Sequence, residues 1–376
     1  MLYQNHTTMN KLLLPYQKNG FTLKNHMVMA PMTRSRAIDN IPNDLMAEYY
    51  GQRNEAGLII TEGTAPLAAG LGYPRIPGIF TTEQINGWKK VTRAVHKAGS
   101  GNAGSRKADS RIFVQLMHTG RIGHIDNLPN GARLVGPSAI KASGQIATDT
   151  KGMQDHSEPV ALTAEEIETL IDGYVIAANN AITAGFDGVE IHAANGYLPE
   201  QFLNPNVNDR EDQYGGSLVN RSRFVVTIAE KIAAAIGKEK TGIRISPFST
   251  LGDLQPYAEE EVHATYAYLA AEMNRIGITY MHISTNANSL AKGVLAVIRS
   301  GFSGTFIYSN GLTPATAGDV LENGTADLVA FGRSFLANPD LVTRIALDAS
   351  LNTPDFQTLY TPGEKGYTDY PVLQAV

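Results

Sequence analysis

The stretch Val189-Glu190-Ile191-His192-Ala193-Ala194-Asn195-Gly196-Tyr197 passes from a short apolar run into a cluster of hydrogen-bonding side chains around a glycine. Seven further runs of the same kind stand at 28–30, 58–61, 112–116, 243–246, 281–284, 306–309 and 328–331. Runs of this length fit strands buried in a parallel sheet better than alternating surface strands. The segments between them carry helix punctuation. Thr163 and Glu166 form a capping box, with Gly185 where that helix should stop. Thr313-Pro314 reads as an N-cap followed by an N1 proline, with Gly324 beyond the end, and Asn338-Pro339 repeats that start signal. Segments 222–236 and 257–275, ended by Gly237 and Gly277, read as two more helices. Eight strand–helix alternations predict a (β/α)8 barrel, an α/β fold in one domain over residues 1–376. A doubly wound sheet is the competing reading of the same alternation.

Composition narrows the function. The chain has 376 residues, a formal net charge of -5, 43% hydrophobic and 18% charged residues, and no cysteine. Such a chain can bury a large core. Slight acidity argues against a nucleic-acid partner, which needs a basic face. The lack of cysteine excludes disulfides, thiolate metal sites, iron–sulfur clusters and thiol catalysis. No apolar stretch approaches the length of a spanning helix and no signal segment is visible, so a cytoplasmic protein with no membrane partner is expected.

The outgoing ends of the runs carry Thr33, Glu62, Gln115, His192, Arg244, Ser284, Ser309 and Arg333. In a barrel these would converge on the C-terminal face, where active sites lie. Strand ends are also polar simply because loops begin there, yet several of these side chains are long or titratable. His192 and Asn195 both offer N–H donors, and two donors aimed at one carbonyl oxygen would stabilise an enolate. Tyr197 is a weak acid able to protonate a carbanion. Arg244 is a cation inside an apolar run and needs an anionic partner, either a structural carboxylate or the electron-rich ring of a cofactor. Ser309-Asn310-Gly311 and Gly332-Arg333 follow the last two runs, where barrels build phosphate sites. Gly99-Ser100-Gly101-Asn102-Ala103-Gly104 matches a dinucleotide fingerprint but follows a helix and precedes a strand, the wrong context. His118, His124 and Asp126 fit no standard metal spacing, so no metal is expected; His118 reads as a residue at the pocket mouth or a structural one.

Taken in order, several motifs resemble the Old Yellow Enzyme family of flavin-dependent ene-reductases. They are Met29-Ala30-Pro31-Met32-Thr33-Arg34, Ile60-Thr61-Glu62-Gly63, Gln115-Leu116-Met117-His118-Thr119-Gly120-Arg121, the segment His192 to Tyr197, Asp209-Arg210, Tyr214-Gly215-Gly216-Ser217, Gly242-Ile243-Arg244, Phe331-Gly332-Arg333 and Gly366-Tyr367-Thr368-Asp369-Tyr370-Pro371. The resemblance implies a (β/α)8 barrel whose bottom is capped by a short hairpin over 12–25. It implies FMN bound non-covalently at the mouth. Thr33, Gly63, Gln115 and Arg244, with the backbone of Pro31 and Met32, would hold the ring; Asn310, Gly311, Gly332 and Arg333 would hold the phosphate. It implies NADPH, or NADH, as hydride donor, and activated alkenes (enones, enals, maleimides, nitroalkenes) as substrates. His192 and Asn195 would bind the substrate oxygen, Tyr197 would be the proton donor, and Tyr73, Met117 and Tyr367 would shape the substrate pocket. A monomer or a homodimer is compatible with it.

Three departures stand out. Met117 stands where many members have tryptophan, Thr33 stands where one subgroup has a tuning thiol, and residues 99–110 form a longer loop than usual. That loop's Gly-, Ala- and Ser-rich composition predicts flexibility, and its place before the third run predicts the barrel's bottom. Two other classes of function stay open on sequence: a binding barrel without turnover, and a Schiff-base aldolase, for which none of the eight runs supplies a lysine.

Overall fold

The computed structural model describes residues 10–98, 110–284 and 293–374. Its centre is a closed barrel of eight parallel strands: β1 (Met27–Met29), β2 (Leu58–Thr64), β3 (Arg111–Leu116), β4 (Gly188–Ala193), β5 (Thr241–Ile245), β6 (Tyr280–Ser284), β7 (Thr305–Ser309) and β8 (Leu328–Phe331). Each strand pairs with the next, and β8 pairs with β1, Val329 beside Met27 and Phe331 beside Met29. Closure rules out the doubly wound alternative. Every residue of β2, β4 and β5 is buried, as parallel strands covered on both faces require.

Side chains alternate between two cores. Val28, Ile60 and Phe113 point into the barrel, where they meet Tyr280, Ile307 and Leu328. Their neighbours Met27, Met29, Ile59, Ile112 and Val114 pack outward against the helical layer. This is the two-residue period of a strand read through one cross-section.

The helical layer comprises α1 (Asp44–Gly51), α2 (Thr82–Ala98), α3 (Ala164–Thr183), α4 (Leu218–Ile236), α5 (Glu259–Ile276), α6 (Val294–Gly301) and α7 (Pro314–Glu322), with short helices between and after them. The Thr163–Glu166 capping box is formed, and Thr313 caps α7 with Pro314 at its first position. Ser217 starts α4 four residues earlier than the sequence suggested, by accepting from Asn220 N. Gly277 ends α5 in a left-handed conformation at φ 79°. The start signal at Asn338-Pro339 is a misreading. Asn338 closes the helix Arg333–Ala337, with its side chain held by Ser334 O and Asn352 N, and the next helix, Leu341–Ala346, begins after Asp340.

The amino-terminal hairpin is present as Tyr16–Lys18 against Phe21–Leu23. Asn19 and Gly20 turn it with φ of 50° and 82°, the conformation that an Asn-Gly hairpin turn demands. Phe21 meets Phe113 and Tyr280, and Tyr16 Oη shares a hydrogen bond of 2.8 Å with Thr305 Oγ1, so the hairpin plugs the end where the strands begin. Apart from Ser110, the predicted insertion at 99–110 lies outside the described residues.

Two features at the opposite end were not anticipated. Between β3 and α3 the chain builds a small overhang: Val135–Gly136 pairs with Val160–Ala161, and Gln145–Thr148 forms a hairpin with Gly152–Asp155. Arg34 and Arg36, both buried after β1, bind the carbonyls of Thr358, Leu359, Lys365 and Gly366, and Arg53 reaches Tyr367 O. Three buried guanidinium groups thereby fasten the carboxy-terminal tail over the loop that leaves β1.

Candidate active site

A cavity of about 460 Å³ opens where the strands end. Its lining includes Pro31, Thr33, Tyr73, Gln115, Met117, His192, Asn195, Tyr197 and Arg244, residues scattered over more than two hundred positions of sequence. Strand register explains the convergence. His192 on β4 lies beside Arg244 on β5, which lies beside His282 on β6. One pleat lower, Glu190 lies beside Gln115.

The floor is a buried polar network. Gln115 Nε2 donates to Glu190 Oε1 at 2.7 Å, and Glu190 Oε2 pairs with His282 Nδ1 at 2.9 Å. Arg244 is only 7% exposed and makes no hydrogen bond or ion pair among the described residues; its Nε is buried without a partner. Glu190 contributes a favourable field, but its oxygens go to Gln115 and His282. A buried, unpartnered cation is expensive, so the site is built to receive electron density from something else. His192 Nδ1 and His282 Nε2 are likewise buried without partners.

Burial, reinforced by the charge of Arg244, pushes His192 well below the ordinary imidazole range, so it is a neutral donor at pH 7. Burial and the neighbouring Tyr73 push the Tyr197 phenol well above its ordinary range, so it keeps its proton. Tyr197 Oη donates to Tyr73 Oη at 3.3 Å, and the Tyr197 and His192 rings lie 5.0 Å apart. Asn195 occupies φ 58° and Gly196 φ 82°. Asparagine tolerates this left-handed conformation, and a Cβ on Gly196 would come within 2.3 Å of Leu251 O. The turn thus lifts Asn195 toward the cavity beside His192.

The remaining expected residues fall in three groups. Gly63 lies at a register shift of β2, where a Cβ would sit 2.4 Å from Met117 Sδ, so glycine there admits the methionine wall. Met32 packs toward Gly332, and Asn310, Gly311, Gly332 and Arg333 follow β7 and β8 at the same end, outside the cavity's lining. Gly311 has φ 59° and open space around its Cα; Arg333 is exposed and has no hydrogen bond or ion pair among the described residues. Tyr367 does not line the cavity. It is fully buried, stacked on Tyr49 at 4.0 Å and lying beneath Arg34 and Arg36. Tyr360, from the fastened tail, takes its place on the wall, and the overhang adds Gln145, Ile146, Ala147 and Met153. Neither was expected. His118 is buried away from the cavity, with Nδ1 accepting from Gly120 N, and burial pushes its pKa down to about 3.

An unpartnered cation under two neutral donors and a protonated phenol, at the mouth of a (β/α)8 barrel, fits an electron-rich ring with a carbonyl above it, the arrangement of a barrel oxidoreductase with an organic cofactor. Comparison with known proteins agrees. The model of the NADH:flavin oxidoreductase / NADH oxidase family matches residues 11–352. The 12-oxophytodienoate reductase 1 of Oryza sativa subsp. japonica is 41% identical over 375 residues, covering 97% of this chain and 94% of its own. A probable flavin mononucleotide-dependent alkene reductase of Leishmania infantum is 39% identical over 369 residues, covering 96% and 97%. Among solved structures, morphinone reductase in complex with tetrahydroNAD superposes with a TM-score of 0.89 at 42% identity, over 96% of this chain and 98% of that one. The Old Yellow Enzyme homologue from Zymomonas mobilis gives 0.89 at 38% identity, over 96% and 100%. This chain belongs to the NADH:flavin oxidoreductase / NADH oxidase family, the Old Yellow Enzyme family. It is a flavin-dependent oxidoreductase with FMN and a nicotinamide as its cofactors. No helix among the described residues is long and apolar enough to cross a membrane.

Proposed function

We propose that this protein reduces the carbon–carbon double bond of small activated alkenes (enones, enals, maleimides and nitroalkenes) with NADPH as hydride donor and NADH as the alternative. The observation that carries the reading is the placement of Arg244, His192, Asn195 and Tyr197 around one cavity. Thr33, Gly63, Gln115 and Arg244, with the backbone of Pro31 and Met32, would hold the FMN ring, and Asn310, Gly311, Gly332 and Arg333 its phosphate. FMN bound there supplies the hydride, taken from the nicotinamide and delivered to the alkene β-carbon.

The chain's own residues do the rest. Arg244, whose Nε has no hydrogen-bond partner among the described residues, would supply positive charge to the ring it helps to hold. His192 and Asn195 donate to the activating oxygen and strengthen their hold as negative charge grows there; donors fixed beforehand in a dry site cost no reorganisation. Neutral His192 keeps its proton as a donor without surrendering it. Tyr197, protonated at pH 7 and within reach of Tyr73, gives its Oη proton to the α-carbon and is reprotonated from solvent. Met117 and Tyr73 wall the substrate side. A binding barrel needs no such acid.

The test uses the purified protein under anaerobic conditions. The yellow absorbance should bleach with NADPH and return on adding 2-cyclohexenone, with cyclohexanone as product. A colourless protein that takes up no FMN, or bleaching without recovery, would overturn the reading.

A further inference from the structure

Glu200 lies in the short helix Leu198–Leu203, just past the turn that carries Asn195, and is 3% exposed. Its Oε2 accepts from Gly196 N at 2.7 Å. Its Oε1 accepts from Ser246 Oγ at 2.7 Å and from Tyr266 Oη at 3.1 Å. Ser246 Oγ in turn accepts from Asn195 N at 2.7 Å. One carboxylate therefore grips both backbone N–H groups of the turn, one directly and one through a serine. No atom of Glu200 lines the substrate cavity; behind it lies a separate cavity of about 290 Å³.

We propose that Glu200 is a positioning residue that holds Asn195 in place as the second donor to the substrate oxygen, acting through Gly196 and Ser246. The proposal rests on the reading of His192 and Asn195 as the oxygen-binding pair. The turn needs such a clamp. Asn195 sits at φ 58°, a conformation that its surroundings must enforce, and two buried N–H groups without acceptors would each favour another backbone path. Gln201 secures the far side, with Nε2 donating to Gly196 O at 2.7 Å. Only the carboxylate side carries a group whose acceptor count changes with pH. Burial raises Glu200 to about 7. The groups that face it, Tyr257 and Tyr266, are themselves raised by burial and stay protonated, and the Arg221–Glu261 ion pair lies beyond Tyr257. Glu62 is also raised to about 7, but it sits on β2 against Tyr50 and Arg34. A protonated Glu200 has one acceptor fewer for three donors, so the clamp loosens as pH falls through about 7.

The experiment measures the affinity of the FMN-loaded enzyme for tetrahydroNAD, a nicotinamide analogue with no hydride to give, by flavin absorbance from pH 5.5 to 8.5. The wild type should bind about threefold to tenfold more weakly at the acid end, the size of one hydrogen bond. Glu200→Gln keeps the shape and should abolish that pH step. Glu200→Leu should bind about tenfold more weakly or worse at every pH and should speed amide exchange at Gly196, while retaining FMN. Ser246→Ala, which removes the indirect arm alone and does not depend on Glu200→Leu folding, should fall between. Adding Asn195→Ala to Glu200→Leu should cost nothing further, because the two act on one contact. A pH step that survives in Glu200→Gln, or unaltered binding in Glu200→Leu and Ser246→Ala, would overturn the positioning role. A wild type that retains FMN but binds no tetrahydroNAD would overturn the oxygen-binding reading beneath it.

Discussion

The two ends of the barrel are made from the same strands and are opposites in chemistry. The hairpin end holds the larger void, about 530 Å³, rimmed by Lys18, Arg111, Lys238 and Lys240. Two of its four cations are paired, Arg111 with Asp187 at 2.7 Å and Lys18 with Asp327 at 3.1 Å, and none is a buried nitrogen without a partner. The mouth has a smaller cavity of about 460 Å³, but there Arg244, His192 and His282 keep buried nitrogens with nothing to bind, and Asn195 is held at a left-handed φ. Volume alone would select the wrong end. Unspent hydrogen-bonding capacity at buried nitrogens distinguishes the mouth.

If that contrast is right, changes at the mouth should alter turnover and cofactor binding, and changes at the hairpin should alter only stability. The largest effect is expected at Tyr197. Phenylalanine keeps the ring and removes the acid. Flavin bleaching by NADPH should proceed at close to the normal rate in Tyr197→Phe, while reoxidation by a cyclic enone slows by about 10²–10⁴. Stopped-flow traces of the two half-reactions decide it; equal slowing of both would mean a damaged ring site instead.

Next come the two buried carboxyls, Glu62 and Glu200, both raised to about 7 by burial. An acid whose folded pKa is raised contributes stability below its unfolded pKa, near 4.3, and loses it as pH climbs through 7. Each should withdraw up to roughly 3 kcal/mol across that window. Denaturant titrations from pH 4.5 to 8 should show this decline, and a shallower one in Glu62→Gln. An unchanged slope in that variant would remove Glu62 from the account.

Arg244→Met should follow, weakening FMN retention by about tenfold to a hundredfold, the worth of a charge-assisted hydrogen bond. Equilibrium dialysis would expose the assignment as wrong if FMN bound equally well. The smallest effect belongs to the other end. Gly20→Ala puts a Cβ at φ 82°, where it meets no neighbouring atom, so only backbone strain is added. About 1 kcal/mol of stability should go, with turnover unchanged. Lost activity there would erase the division between the ends.

The barrel was legible because its strands are buried on both faces and read as plain apolar runs, and because Thr163 and Thr313 cap helices by local hydrogen bonds. The overhang at 145–155 was not. Its strand Gln145–Thr148 is four residues long and alternates in burial, too short a stretch to stand out as an apolar run. Asn338-Pro339 misled because the Asn338 side chain is taken up by Ser334 O and by the backbone of Asn352, fourteen residues on, so that it closes one helix instead of opening the next. That His192 and Asn195 would reach the cavity was readable from their place after a strand. Glu190 and Glu200 were not, because a lone glutamate in an apolar stretch does not say which backbone or amide groups will surround it. Tyr367 was placed by its motif near the substrate; its ring instead lies beneath Arg34 and Arg36, stacked on Tyr49, and Tyr360 lines the cavity.

That fastened tail has a consequence for how the molecule comes into being. The seam that closes the barrel joins Met27 to Val329, and the last wall of the cavity arrives with Tyr360. A chain emerging from the ribosome at about 5–20 residues per second presents an unpaired β1 edge until nearly all of it has been made. The cavity is therefore completed late in synthesis, and a chain lacking the tail would have an open pocket and leave Arg34 and Arg36 without the tail carbonyls they bind.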